Sequence, residues 1–481
     1  MNFSRLLAKK SVAAIQQESE KGELKRTLSA ANLVSLGIGC IIGAGIFVMT
    51  GQAAAEHAGP AIIISFVLAG LCCAFAGLCY AELASMLPVS GSAYSYAYAS
   101  LGEIFAWIMG WLLLLEYGLA ASTVAVGWSG YVVSFLGNFD IVIPTYLTQP
   151  TIALNEAKEM TFTGSFNLPA MLGVAMMSAL LVVGVKESAT VNNVIVCIKV
   201  AVILLFIGVG AFYVNPDNWH PFIPEAVPGG DDKYGWAGIF RAAGIIFFAY
   251  VGFEAVSTAS QEAKNPQRDV PIGILGSLVI CTVIYMAVSL VLTGIVPFNT
   301  LAVPDPIAVA VDAVNLPWLA FIVKIGAIAG LTSVMMVLLY GQTRIFYTMS
   351  KDGLIPPIFS KVHPKFQTPW INTILVGILV SIAAGMTPIS ILGDLVSLGT
   401  LAAFAIICFS VIYLRRTSPD LHRPFSVPYP KVTPILGIFC CGYLIWGLKG
   451  MLITLKFYFL IGLIIYVVYG RRHSKLGQAA K

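Results

Sequence analysis

The sequence predicts an all-α membrane protein of about twelve transmembrane helices, arranged as two inverted repeats of five with two further helices at the C-terminal end. Three observations lead there. First, 58% hydrophobic and only 11% charged residues in a 481-residue chain leave too little polar surface for a water-soluble globule of this length. Second, apolar runs long enough to cross a bilayer, about 20 residues at 1.5 Å each, follow one another from residue 30 to residue 470. Third, the first and sixth runs carry helix-breaking interruptions at corresponding places, the pattern of an inverted-repeat membrane protein.

The elements follow in order from the charged and Pro/Gly-rich breaks. Residues 1–29 are polar and basic and form an N-terminal tail. The first apolar run is too long for the core of a signal peptide, so it is expected to be retained. The first repeat, 30–213, holds spans at 30–56, 60–86, 104–134, 168–184 and 190–213, with a tight hairpin at Lys186 and Glu187 between the last two. The second repeat, 236–414, holds spans at 236–261, 272–296, 319–348, 371–386 and 391–414; the length of 319–348 predicts a tilted helix. Spans 11 and 12 occupy 433–449 and 453–470, and 471–481 is a short tail.

Charge supplies the orientation. Most of the 28 Lys and Arg fall in the two tails and in the connections after spans 4, 6, 8 and 10, so both termini are expected to be cytoplasmic. The connection after span 2, Pro88 to Ser92, has no Lys or Arg, and a neutral segment there can move without dragging charge. The net charge of +5 follows from this one-sided bias and calls for no nucleic-acid partner. The nine cysteines are scattered through apolar runs with neither ligand nor disulfide spacing. Trp107, Trp111, Trp236 and Trp370 lie near span ends and read as interfacial anchors.

The chemistry concentrates in two spans. Gly37, Gly39, Gly43 and Gly45 place four glycines in nine residues of span 1, each costing about 1 kcal/mol relative to Ala in a helix. The helix is expected to break there, and the free amides of the following half-helix make an anion site suited to a carboxylate. The same glycines also read as close helix packing, since Gly39 and Gly43 form a GxxxG pair. Span 6 carries Gly252 and Glu254 in an aromatic-rich stretch, Phe247 to Glu254. Carbonyls freed near Phe248 and Val251 can accept from an ammonium, while Phe248 can close over it. Anion-binding amides facing cation-binding carbonyls suit a zwitterion, so the chain reads as a transporter of amino acids.

Three of the charged residues within spans bear on the chemistry. Glu116, midway along span 3, heads a small, mildly polar face of Ala120, Thr123 and Gly127 that is expected to border a cavity. It reads either as a contact for a cationic side chain or a proton, or as a structural carboxyl. Lys199, in the middle of span 5, costs about 2.5 to 3.5 kcal/mol to insert charged, so it is expected to be paired or neutral. Glu254 reads equally as an inner-gate group and as a structural acid.

Together these segments resemble the amino acid–polyamine–organocation superfamily, and within it bacterial permeases similar to the cationic amino acid transporters. The resemblance runs along essentially the whole chain and is carried by Ile41 to Phe47, Tyr80-Ala81-Glu82-Leu83, Pro88 to Tyr96, Leu115-Glu116-Tyr117-Gly118, Phe248 to Glu254 and Arg423-Pro424-Phe425. It implies the LeuT-like five-plus-five fold, in which helices 1, 2, 6 and 7 move against 3, 4, 8 and 9. It places the substrate carboxylate at Ile41, Gly43, Ala44 and Gly45, and the ammonium at Phe248, Ala249 and Val251. It also puts Lys199 where sodium-coupled members hold a sodium ion, between helices 1 and 8, with Thr332 and Ser333 beside it. Animal members often have fourteen spans, so their regulation and specificity are not carried over.

The resulting expectation is a secondary permease of the cell membrane, most simply a bacterial inner membrane, working by alternating access. Proton symport and cationic amino acids are favoured. The alternatives are a neutral or branched-chain permease, a proton-independent exchanger and, more remotely, a non-transporting sensor. No cofactor and no metal are implied, and an accessory subunit or a homo-oligomer stays open. An enzyme has nothing to stand on in the sequence, because His57, His220, His363, His422 and His473 all lie in loops or tails without nucleophile or ligand partners.

Overall fold

The alternation of apolar runs and polar breaks becomes an almost wholly helical chain in the computed structural model, which describes residues 8–9, 27–87, 92–154, 160–184, 189–228 and 232–476. Spans 1 to 3 are Ala30–Ile41 continued by a second half beginning at Gly45, Ile62–Met86, and Glu103–Leu114 continued to Gly137. Leu168–Val183 and Ala189–Gly210 are spans 4 and 5, and Gly235–Ile246 opens span 6, which resumes briefly at Ala255–Thr258. Spans 7 to 10 are Pro266–Ile295, Pro317–Lys351, Trp370–Met386 and Ile389–Thr417; Thr433–Gly447 and Leu452–Ile465 are spans 11 and 12. Among the described residues eight stretches are long and apolar enough to cross a membrane, and four shorter apolar helices, including the first half of span 1, accompany them. Boundaries respond to local chemistry: Ser29 and Asn32 form a reciprocal capping box at the start of span 1, and Asn167 caps span 4 by accepting from the Ala170 amide.

Small residues let the helices approach closely, as lipid-solvated helices require. A Cβ on Gly273 would meet Leu33 Cβ at 2.8 Å, and one on Gly37 would meet Ser277 Oγ at 2.5 Å, so spans 1 and 7 are in backbone-close contact. Buried ion pairs join other helices. Arg241 of span 6 meets Asp394 of span 10 at 2.8 Å, and at the other end of span 10 Arg415 pairs with Glu82 of span 2.

Several details depart from the sequence reading. Span 7 begins at Pro266, six residues early, because proline suits the first turn of a helix. The short helices Ser92–Ser100 and Pro306–Ala313, and a hairpin of β1 (Ile152–Leu154) with β2 (Met160–Phe162), lie in connections where no regular structure was expected. Residues 88–91 and the hairpin at Lys186 and Glu187 lie outside the described residues. Trp107 is no interfacial anchor: it is buried, stacks on Trp111 and donates to the Gly462 carbonyl at 3.1 Å, while Trp111 donates to that of Tyr458. Both indoles serve the packing of span 12 against span 3.

Candidate substrate and coupling site

The glycine cluster of span 1 does break the helix. Ala30–Ile41 ends at Ile42, whose ψ of 97° leaves the helical region, and helical structure resumes at Ala44 and Gly45 in a wider π turn. In span 6 the helix tightens to a 3₁₀ turn over Phe247–Tyr250, Val251 turns extended, and Gly252 takes φ 119°, a conformation that a side chain strains. The two interruptions touch. A Cβ on Gly45 would lie 2.2 Å from Ala249 Cα, and one on Gly252 would lie 2.8 Å from the Cys40 carbonyl group. Glycine is required at both points because backbone meets backbone.

These contacts bring Gly45 against Ala249, while Gly43 faces span 8, where a Cβ would meet Val334 at 3.1 Å; Ile41, Gly43, Ala44, Gly45, Phe248, Ala249 and Val251 are all largely buried. The first amides of the second half-helix have no intrahelical acceptor, as at any helix start. The Phe248 carbonyl accepts from the Val251 amide at 3.1 Å, so one of its lone pairs is already used. Tyr285 of span 7, which the sequence did not single out, bridges the breaks: its hydroxyl lies 2.8 Å from the Ile41 carbonyl and 3.0 Å from that of Ala249. Tyr131 similarly donates to the Phe47 carbonyl at 2.6 Å. Both are fully buried tyrosines in apolar helices, and only a buried phenol's need for a partner signals them.

Lys199 reaches the same place from span 5. Its ammonium donates to the carbonyls of Gly39, at 2.7 Å, and Ile42, at 3.2 Å, which the break in span 1 has released. Its stem crosses Gly330 of span 8, where a Cβ would come within 2.7 Å of Lys199 Cδ. The lysine thus sits between spans 1 and 8. Thr332 does not join it, since its hydroxyl accepts from Trp128 of span 3 at 2.9 Å; Ser333 bonds back to the Gly330 carbonyl.

Glu116 lies on a π turn, Leu115–Leu119, and is fully buried. Its carboxyl sits beside that of Glu254, and Tyr117 borders the pair. Among the described residues neither Glu116 nor Glu254 forms an ion pair, and neither oxygen of Glu116 has a hydrogen-bond partner. Glu254 accepts from the Gly252 amide at 2.9 Å and so caps the break in span 6. Where a cavity wall was expected, the face below Glu116 is closed at Gly127: a Cβ there would strike Val48 of the second half of span 1 at 2.4 Å. Among the described residues no group of His, Cys, Asp and Glu is placed to hold a metal ion.

Residues 28–469 match the sequence profile of the amino acid permease family. The chain belongs to that family. Among similar proteins, the methylthioribose transporter of Bacillus subtilis strain 168 is 47% identical over 477 residues, covering 99% of the permease and 100% of the relative. The branched-chain amino acid permease BcaP of the same organism is 48% identical over 467 residues, 96% of the permease and 97% of the relative. The vacuolar cationic amino acid transporter 4 of Arabidopsis thaliana is 37% identical over 421 residues, covering 87% of the permease and 68% of the relative. The permease is therefore an all-α, multi-pass membrane transporter.

Proposed function

We propose that the permease moves an amino acid by alternating access, driven by protons, around one site at the two helix breaks. The α-carboxylate rests on the amides of Gly43, Ala44 and Gly45, with Ile41 at the edge. The α-ammonium takes the remaining carbonyl lone pairs at Phe248, Ala249 and Val251, and Phe248 closes over it. The observation that carries this reading is the direct contact of the breaks at Gly45–Ala249 and Cys40–Gly252, with Tyr285 bridging them. The reading includes the grouping of spans 1–5 and 6–10 into inverted repeats and a cell membrane, most simply a bacterial inner one, with the Lys/Arg-rich face cytoplasmic. No catalytic role is assigned.

Lys199 is the coupling group. Charged, it binds the Gly39 and Ile42 carbonyls and holds the first half of span 1 in place; deprotonated, it keeps two N–H donors but loses the charge that strengthens both bonds, and its hold weakens. The paired carboxyls of Glu116 and Glu254 have no basic partner among the described residues, so a proton between them removes the cost of two adjacent buried charges. Glu254 acts at the inner gate through the break that it caps.

For the substrate side chain, neutral amino acids come first, because a relative matched almost end to end is named for branched-chain amino acids. The carboxyl pair without a cation favours cationic amino acids as the second reading, in line with the plant relative's name. The test is uptake of radiolabelled leucine and arginine into proteoliposomes under an inward proton gradient, with and without an uncoupler. Leucine accumulation that collapses with the uncoupler and persists as gradient-independent exchange in Lys199→Ala supports the proposal. Uptake indifferent to the uncoupler in the unmodified protein refutes proton coupling, and selective arginine uptake sensitive to Glu116→Gln decides for the cationic reading.

A further inference from the structure

Away from the breaks, the outer surface of span 7 carries a groove of about 690 Å³ that runs from Arg268 to Ile280 and is walled by Pro424 and Phe425. Twelve residue steps of a helix cover about 18 Å, close to the ~15 Å hydrocarbon depth of one leaflet plus the start of its headgroup layer. The lining is divided along its length. Ile272, Leu275, Gly276, Val279 and Ile280 make it apolar over most of its run, while Gln267 and Arg268 occupy one end. Val279 is 64% exposed and Ile272 and Ile280 are 41% exposed, so the protein itself does not cover this strip.

Arg268 is exposed and makes no ion pair among the described residues. The adjacent acid does not serve it: Asp269 is buried and accepts from the Asn265 amide at 3.1 Å. No carboxylate lines the groove. One unneutralised guanidinium at the end of a leaflet-long apolar channel has the form of an amphiphile with a negative head.

We infer that this groove binds one anionic phospholipid of the leaflet on the basic face, its phosphate on Arg268 with Gln267 beside it and an acyl chain along Ile272 to Ile280. The site joins two parts of the molecule. Span 7 packs on the first half of span 1 through Gly273 and Gly276, where Cβ atoms would meet Leu33 at 2.8 Å and Val34 at 3.0 Å. Phe425 belongs to the connection whose Arg423, together with Arg415 at the end of span 10, holds Glu82, and its own amide donates to Ser85 at 3.3 Å. A lipid seated here spans both, so its binding follows the position of the first half of span 1.

The inference is tested by native mass spectrometry of the purified full-length protein, exchanged into detergent with equal amounts of phosphatidylglycerol and phosphatidylcholine. This readout requires no transport. Phosphatidylglycerol is expected to be retained about fivefold over phosphatidylcholine, the ratio that one basic residue gains at an anionic surface. Arg268→Gln abolishes that preference, Arg416→Gln at another exposed basic position keeps it, and Val279→Trp, which fills the groove, lowers retention of both lipids. Equal retention of the two lipids by the unmodified protein, an undiminished preference in Arg268→Gln, or a groove occupied by a second copy of the chain in place of lipid overturns the inference.

Discussion

Gly45→Ala is the sharpest perturbation of the site because the structure fixes its size. The added Cβ would stand 2.2 Å from Ala249 Cα and 2.4 Å from Ala249 Cβ. Carbon atoms in contact prefer about 3.5 to 4.0 Å, so the breaks must part by about 1.5 Å. Backbone on both sides leaves no flexible side chain to yield. Overpacking of this kind costs about 1 to 3 kcal/mol of stability, and a 1 Å misplacement of binding groups costs about 100-fold in rate. Initial uptake in proteoliposomes is therefore expected to fall about 100-fold while the protein still elutes as a folded species. Gly208→Ala in span 5, where nothing lies within 4 Å of the new Cβ, serves as control and is expected to keep full uptake. Uptake in Gly45→Ala above half that of the unmodified protein, at unchanged thermal stability, would refute the idea that the breaks must touch.

Further predictions concern groups around this centre. Tyr285→Phe removes the hydroxyl shared by the Ile41 and Ala249 carbonyls; an unsatisfied buried acceptor costs about 1 to 3 kcal/mol, so KM for the transported amino acid is expected to rise at least about fivefold with normal expression, read from uptake kinetics. Glu82→Gln leaves Arg415, Arg423 and the Val427 amide without their shared carboxylate, and the thermal midpoint in detergent is expected to drop in proportion to about 3 kcal/mol. Asp305, in the connection between spans 7 and 8, is pushed up to about 6 by burial, against the opposing pull of the Ser134 hydroxyl and Lys324. The folded protein then holds this proton more tightly than the unfolded chain, so this group's contribution to stability increases as pH falls from above 6 towards 4. A thermal-midpoint series across that window is expected to lose part of its slope in Asp305→Asn.

The spans and both breaks were legible because lipid imposes a coarse rule: apolar runs of sufficient length, and glycine clusters only where backbone is deliberately freed. Lys199 was legible for the same reason, since an ammonium at membrane depth must find acceptors, and the broken span 1 supplies them. Tyr285 was not, because an aromatic residue in an apolar helix looks like packing until its hydroxyl is seen between two carbonyls. Trp107 misled in the opposite direction: its place near a span end matched an interfacial anchor, but span 12 covers it. The small residues after Glu116 were read as a cavity wall, yet Gly127 is small because Val48 needs its space. Small size marks close approach without telling a ligand from a neighbouring helix.

The most direct test of the central claim is competition for leucine uptake by leucine itself, its decarboxylated amine, its deaminated acid and methylthioribose, in proteoliposomes under an inward proton gradient. If both breaks bind the α-groups, leucine competes and neither truncated analogue does, because each leaves one set of backbone groups unanswered. Strong competition by both truncated analogues, or by methylthioribose alone, a sugar thioether with neither α-group, would contradict the account.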